Sequence, residues 1–352
     1  MTEWAELSSL PGVEFLAMSS LKSRLVPLVL RYTRKKAFSS AEGLRARIKA
    51  ERKTMDYRPP IKLKRMFDVR RRRIAGMPVY EVQPKETPNR RLSGTRVLYL
   101  HGGAYVFQIT PHHWWMVAEM ATRLNARIVV PIYPLAPEHR VDRTFEKMMR
   151  LYQRLLHEIK SSRIVFMGDS AGAHMSVVMC MTAARQGLPL PAKQVLISPG
   201  LDLSLANPRI RELEKIDPWL GIEGGKEALR LCAPGMDLND WRISPIYGDL
   251  SVLPMTMILT GTLDLLSADA VLFAEKARSE GVEIELVVEE GMVHVWPLID
   301  MPEARDARNR IVAYVAPVGT LPPEPTSRLE TACKTLGRML RFLLPAGRPR
   351  DA

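Results

Sequence analysis

Arg163-Ile-Val-Phe-Met-Gly168-Asp-Ser170-Ala-Gly172-Ala-His174 decides the fold, because an apolar run of strand character leads straight into a serine with a glycine two residues away on either side. A G-x-S-x-G of this kind predicts a sharp strand-to-helix corner. There the serine takes a strained backbone conformation, and the positions two residues away have no room for side chains. The corner lifts the hydroxyl clear of the sheet. Ala171, Gly172 and Ala173 let the helix begin close to the strand, so that its first N–H groups point at the serine oxygen and favour negative charge there.

Working outward, the same strand-then-turn grammar recurs. Residues 97–100 are a continuous apolar run of the buried parallel kind, followed by His101-Gly102-Gly103-Ala104-Tyr105. Two adjacent glycines after a buried strand allow backbone N–H groups to face a cavity, a candidate oxyanion hole. Strands are predicted at 127–132, 164–167, 194–198, 255–260 and 283–288. Helices are predicted across Phe145 to Ile159, from Ala171 to about Arg185, near 269–279 and over 302–315. Strands alternating with helices through short connections imply right-handed crossovers and a parallel sheet. Asp264 and His294 each follow a strand, and open α/β sheets place their active sites outside the carboxyl ends of strands. Ser170, Asp264, His294 and the Gly102-Gly103 turn therefore fall on one rim.

The flanking segments read differently. Residues 1–57 suggest helices interrupted at Pro11-Gly12 and Pro27, with Ser39-x-x-Glu42 as a capping box opening a helix that carries Leu44 and Ile48 on one face. Between 67 and 82 the period changes to two about Ala75-Gly76, the pattern of a hairpin. Its Arg70 to Arg73 suit a sheet edge, where charge blocks further pairing. Residues 201–253 scatter Pro208, Pro218, Pro234 and Pro245 among short helical pieces and read as an insertion. Beyond Pro317 lie a proline-rich linker and a basic amphipathic helix with Leu329, Cys333, Leu336, Leu340 and Leu343 at helical spacing.

Composition narrows the classes. The 352 residues carry a net charge of +13, and residues 1–75 hold 19 Lys and Arg against seven Asp and Glu, a net of +12. So uneven a distribution fits a solvated basic face or an anionic membrane surface. No nucleic-acid-binding motif accompanies it, so no nucleic acid partner is expected. Cys180, Cys232 and Cys333 are widely spaced, which indicates neither a disulfide framework nor a metal site. The longest early apolar run, residues 25–30, is short and holds Pro27, so a cytoplasmic location is expected. Oligomeric state is left open.

Ser170, Asp264 and His294 stand in the chain order Ser…Asp…His of the α/β hydrolases. A serine hydroxyl is a weak nucleophile, an imidazole can take its proton near neutral pH, and a carboxylate fixes the imidazole tautomer and stabilises its cation. Asp269 competes with Asp264 for the last role. Asp264 comes sooner after its strand, whereas Asp269 suits the first turn of the next helix.

HGGAY at 101–105, YPLAPEH at 133–139, GDSAG at 168–172, GTLDLLSAD at 261–269 and GMVHVW at 291–296 resemble, in order, the motifs of the hormone-sensitive lipase family of esterases, or α/β hydrolase fold-3, over about residues 67–316. The resemblance implies an α/β-hydrolase fold: a mostly parallel eight-stranded sheet, helices on both faces and a helical cap. The expected division is N-terminal cap helices at 1–60, a core of 61–200 and 254–316, a cap insertion at 201–253 and an extension at 317–352. It implies a carboxylic ester hydrolase acting through an acyl-serine on a small-molecule ester, with Ser170 as nucleophile, Asp264 as acid and His294 as base. Oxyanion donors would come from the Gly103, Ala104 and Ala171 backbone, with Gly102 shaping the turn and His101 structural. No cofactor or metal is expected. Alternatives with the same triad are an amide deacetylase of small molecules and a membrane-surface lipase. Two residues depart from the family pattern: Ala104 where a third glycine is usual, and Leu265 where a proline is common.

Overall fold

The period-two alternation of apolar residues along the predicted strands divides them between two cores, one on each face of a single sheet. The computed structural model describes residues 13–16, 20–85 and 92–316, with the backbone alone for 13–16. Among the described residues nine strands are joined: β1 Val13–Leu16, β2 Phe67–Ile74, β3 Met77–Pro84, β4 Arg96–Leu100, β5 Arg127–Pro131, β6 Ile164–Asp169, β7 Lys193–Ile197, β8 Met255–Leu263 and β9 Ile284–Val293. Their order is β1-β9-β8-β7-β6-β4-β5-β3-β2. β2 and β3 form an antiparallel hairpin, β3 pairs antiparallel with β5, and every other pairing is parallel. The eight expected strands are thus present, and a ninth, β1, extends the edge beside β9.

Eleven helices accompany them among the described residues: α1 Leu21–Leu30, α2 Lys36–Phe38, α3 Ala41–Arg52, α4 Ile61–Met66, α5 Pro111–Arg123, α6 Val141–Glu158, α7 Ala171–Arg185, α8 Pro208–Ile216, α9 Ile222–Cys232, α10 Ser267–Ser279 and α11 Pro302–Val315. Leu98, Leu100, Phe166, Leu196 and Ile258 share one core with Phe145, Met148 and Tyr152 of α6 and Phe273 of α10. Their neighbours Val97, Tyr99, Val165, Met167, Val195 and Met257 share the other with Trp114 and Val117 of α5, Ile311 and Val312 of α11, and Val26 and Leu30 of α1. A helix layer therefore covers each face.

Four features depart from expectation. Residues 13–16 pair as a strand, where helix was read. Helices α4 and α5 fall where the sequence analysis predicts none. The cap of α3 is Ser40, whose hydroxyl accepts from the Gly43 N–H at 3.0 Å, and not Ser39, whose hydroxyl donates to the Lys35 carbonyl. Pro27 lies inside α1 instead of breaking it. Buried Ser23, Val26 and Leu30 hold α1 to the domain, which offsets the lost backbone hydrogen bond. A five-residue π-helical segment, Arg31–Lys35, then carries the chain into α2. The expected extension at 317–352 and the start of the N-terminal segment lie outside the described residues.

Candidate active site

At the end of β6 the backbone of Ser170 turns to φ +51°, and α7 begins with the next residue. The Ser170 N–H donates to the Ile197 carbonyl at 2.8 Å, fixing the corner against β7. Bare α-carbons make the corner fit: a Cβ on Gly172 would fall on the Leu100 carbonyl, and one on Gly168 would meet the backbone of Gly172. Ala171 is the first residue of α7, so its N–H has no intrahelical acceptor.

His294 follows β9 directly, and its Nε2 lies 3.0 Å from Ser170 Oγ. Its Nδ1 lies 3.1 and 3.0 Å from the two carboxylate oxygens of Asp264. Both Asp264 and His294 are buried. The Asp264 loop is held by its own N–H, which donates to the Gly261 carbonyl at 3.1 Å, and by the Leu266 N–H, which donates to Asp264 Oδ1 at 3.0 Å. The His294 loop is held by the Val295 N–H, which donates to Ser198 Oγ at 2.9 Å. Burial pulls the His294 pKa down, but the Asp264 carboxylate beside it, helped by Asp217 and Asp169, outweighs burial and holds the imidazole above its usual value.

The turn after β4 is left-handed for three residues, with φ +120° at Gly103, +51° at Ala104 and +60° at Tyr105. Gly103 is the place where only glycine sits without strain. The Gly103 carbonyl accepts from Val106 and Phe107, closing the turn. Ala104, Ser170 and Ala171 all line one cavity. The Gly102 N–H is committed elsewhere: it donates to Asp169 Oδ2 at 2.9 Å, and a Cβ on Gly102 would strike that same carboxylate. His101 is buried, stacked on Tyr133 at 4.2 Å, and donates through Nδ1 to the Gly102 carbonyl. Burial pushes its pKa down to about 3, so it stays neutral.

Two residues of this site escaped the sequence reading. Asp169, inside the G-x-S-x-G itself, accepts from Tyr99 Oη at 2.7 Å, from Gly102 N–H and from His113 Nε2 at 3.2 Å. It ties the turn after β4 to the serine corner. Asp217, in the 201–253 insertion, accepts the N–H groups of Trp219 at 2.6 Å and Leu220 at 2.8 Å on one oxygen and of Leu265 at 2.7 Å on the other. Burial and the neighbouring charge of Asp264 push its pKa up to about 6. Trp219 stands edge-on to His294 with ring centroids 5.7 Å apart. The Asp217-Pro-Trp219 sequence carries no motif that would announce this. Asp269 lies in the first turn of α10 and accepts from Asn207 Nδ2 at 2.7 Å.

The cavity over Ser170 is walled by Phe38 of α2, Leu203, Leu205 and Leu220 of the insertion, Leu229 and Cys232 of α9, and Leu265 and Leu266. Among the described residues no charged side chain lines it. Among the described residues no group of three or more His, Cys, Asp or Glu side chains could hold a metal ion, and no helix is long and apolar enough to cross a membrane.

A family profile described as the alpha/beta hydrolase fold matches residues 97–298. An esterase of Acinetobacter venetianus is 29% identical over 247 residues, covering 69% of this chain and 80% of its own. A triacylglycerol lipase of Mycobacterium tuberculosis is 28% identical over 64% of this chain, which spans only 46% of that relative. Among solved structures, an esterase from the bacterial hormone-sensitive lipase family superposes with a TM-score of 0.71 at 26% identity, covering 85% of this chain and 98% of that one.

Proposed function

Because the chain belongs to the hormone-sensitive-lipase-like esterases of the α/β hydrolase fold, a family of serine ester hydrolases, we propose that it cleaves carboxylic esters through an acyl intermediate on Ser170. The observation that carries this reading is the unbroken line of hydrogen bonds from Ser170 Oγ through His294 to Asp264. In the proposed reaction, His294 Nε2 takes the Ser170 proton as Oγ attacks the ester carbonyl. Asp264 accepts from Nδ1 and stabilises the imidazolium. The oxyanion is held by N–H groups of Gly103, Ala104 and Ala171, while Gly102, bonded to Asp169, shapes the turn. Collapse of the tetrahedral intermediate expels the alcohol as His294 protonates it. Water, deprotonated by His294, then attacks the acyl-serine, and its second collapse returns the proton to Oγ. One oxyanion donor in such a site typically contributes roughly 10²–10³ in turnover.

The apolar lining of the cavity supports an uncharged acyl group, since a buried carboxylate would find no cationic partner among the described lining residues. We assign its roof to α2 and α3 together with the 201–253 insertion. Supporting this, Lys35 Nζ donates to the Glu214 and Leu220 carbonyls, and Arg45 pairs with Glu227 at 2.6 Å.

Hydrolysis of an acetyl ester by wild type and by Ser170→Ala, with thermal unfolding of both, tests the assignment. Full loss of turnover with unchanged unfolding is expected, and near-normal turnover would place the nucleophile elsewhere. Running the matching acetamide alongside separates ester from amide chemistry; the ester is expected to turn over faster.

A further inference from the structure

We propose that α1 and the π-helical segment after it form a docking surface for an anionic lipid membrane. Leu21, Leu25, Leu28 and Tyr32 are 74%, 50%, 56% and 87% exposed, unusually bare for large apolar side chains. Their spacing is i, i+4, i+7, i+11. At about 100° per residue the four fall within an arc of about 60°, one continuous stripe along the helix. The opposite face, Ser23, Val26 and Leu30, is buried against the domain. The stripe is therefore a second apolar face, turned to solvent by a helix already anchored through its first.

The charges flank that stripe. Lys22 lies on one side, Arg24 and Arg31 on the other, and all three are exposed. Lys22 Nζ pairs with the Asp300 carboxylate at 3.6 Å and donates to the Asp300 carbonyl at 3.5 Å, both contacts exposed to solvent. From residue 20 to residue 36 there are six bases and no acid. An apolar stripe bordered by long cationic side chains is the arrangement of a helix lying in a membrane interface: the apolar residues enter the acyl boundary while the bases reach to anionic headgroups. A second copy of the chain is a poorer occupant, because two such faces would bring Lys22, Arg24 and Arg31 of one against the same three bases of the other. The helical run ends at Phe38, which lines the cavity over Ser170, so docking would set that wall of the cavity beside the lipid.

The docking surface goes beyond the esterase reading and is measured without it. The full chain is sedimented with vesicles of phosphatidylcholine alone and of phosphatidylcholine with phosphatidylserine, at low and high salt. Wild type is compared with the combined Leu25→Ser and Leu28→Ser variant, and with Leu21→Ser as an independent position on the same stripe. Hydrolysis of a short water-soluble ester and thermal unfolding serve as fold controls, since none of these residues touches the triad. Expected are binding to phosphatidylserine vesicles, loss of that binding as salt shortens the Debye length from ~30 Å at 0.01 M to ~3 Å at 1 M, and at least a tenfold lower partition coefficient for the double variant. The Leu21→Ser variant should fall in between, with soluble-ester turnover unchanged in all. No binding to either vesicle, equal binding to both, or equal binding by wild type and variants would overturn the proposal. So would a concentration-dependent dimer in solution that the double variant abolishes, because the stripe would then be covered by a second copy.

Discussion

Leu265 stands where the resembling family commonly has proline, and its N–H is one of three that hold the Asp217 carboxylate. Proline could not donate there. Asp217 thereby links the insertion to the loop carrying Asp264, and its charge helps to raise the His294 pKa. The base must be neutral to act, so turnover of a soluble ester should fall as pH drops through a midpoint above 6.5. Asp217→Asn removes a negative charge and one acceptor, and should both lower turnover and move that acidic limb to lower pH. A limb that stays in place in the kcat profile would show that Asp217 does not act on His294. Asp269 makes a separate case. Burial raises its pKa to about 6 in the folded chain, so the folded state binds that proton more tightly than the unfolded one. The stability this brings is complete below about pH 3.8 and lost as pH rises through about 6. Asp269→Asn should consequently stabilise the fold at pH 8, by up to about 3 kcal/mol, seen as a higher unfolding temperature, with little effect at pH 4. The same gain at both pH values would contradict this. Ser170, Asp264 and His294 were legible because each follows a strand in a motif of fixed spacing. Asp169 and Asp217 were not, because their partners at Tyr99, Gly102, His113 and Leu265 come together only in three dimensions.

The helical run from Leu21 to Phe38 shows what a chain element needs beyond its own sequence. Its start is fastened to the far end of the chain: the Ser20 N–H and both Ser20 and Ser23 hydroxyls donate to the carboxylate of Glu303 in α11. The pocket side is fastened by close backbone contact, since a Cβ on Gly221 or Gly224 would strike Phe38. Glu303→Ala leaves buried Ser23 without its charged acceptor and should cost about 2 kcal/mol of stability. Urea unfolding measures it, and an unchanged midpoint would show that the fastening is idle. Strong periodicity and capping made α6, α7 and α11 readable. Helix α5 had its own signals, Thr110 before Pro111, but its His112-His113-Trp114-Trp115 stretch lacks a clean polar face, as expected of a helix with Trp114, Met116 and Val117 buried. β1 could not be read because four residues acquire strand character only by pairing with β9.

At the scale of the whole molecule, the sheet brings to one rim Ser170 and His294, which are 124 residues apart in the chain. Alternation of strand and helix made that convergence predictable. The roof over it was less so, because α2, α8 and α9 are short and their contacts with one another are matters of packing rather than pattern. The surface charge is uneven as well, and its basic N-terminal portion includes both a cavity wall at Phe38 and the exposed stripe of α1. The central claim, that Ser170 becomes acylated and His294 drives both halves of the reaction, is tested most directly by mass spectrometry of the protein treated with a fluorophosphonate, followed by peptide mapping. A single adduct on the peptide containing Ser170 is predicted, slowed by an excess of acetyl ester present during labelling, strongly slowed in His294→Ala and absent in Ser170→Ala. An adduct at any other residue, or full labelling of Ser170→Ala, would contradict it.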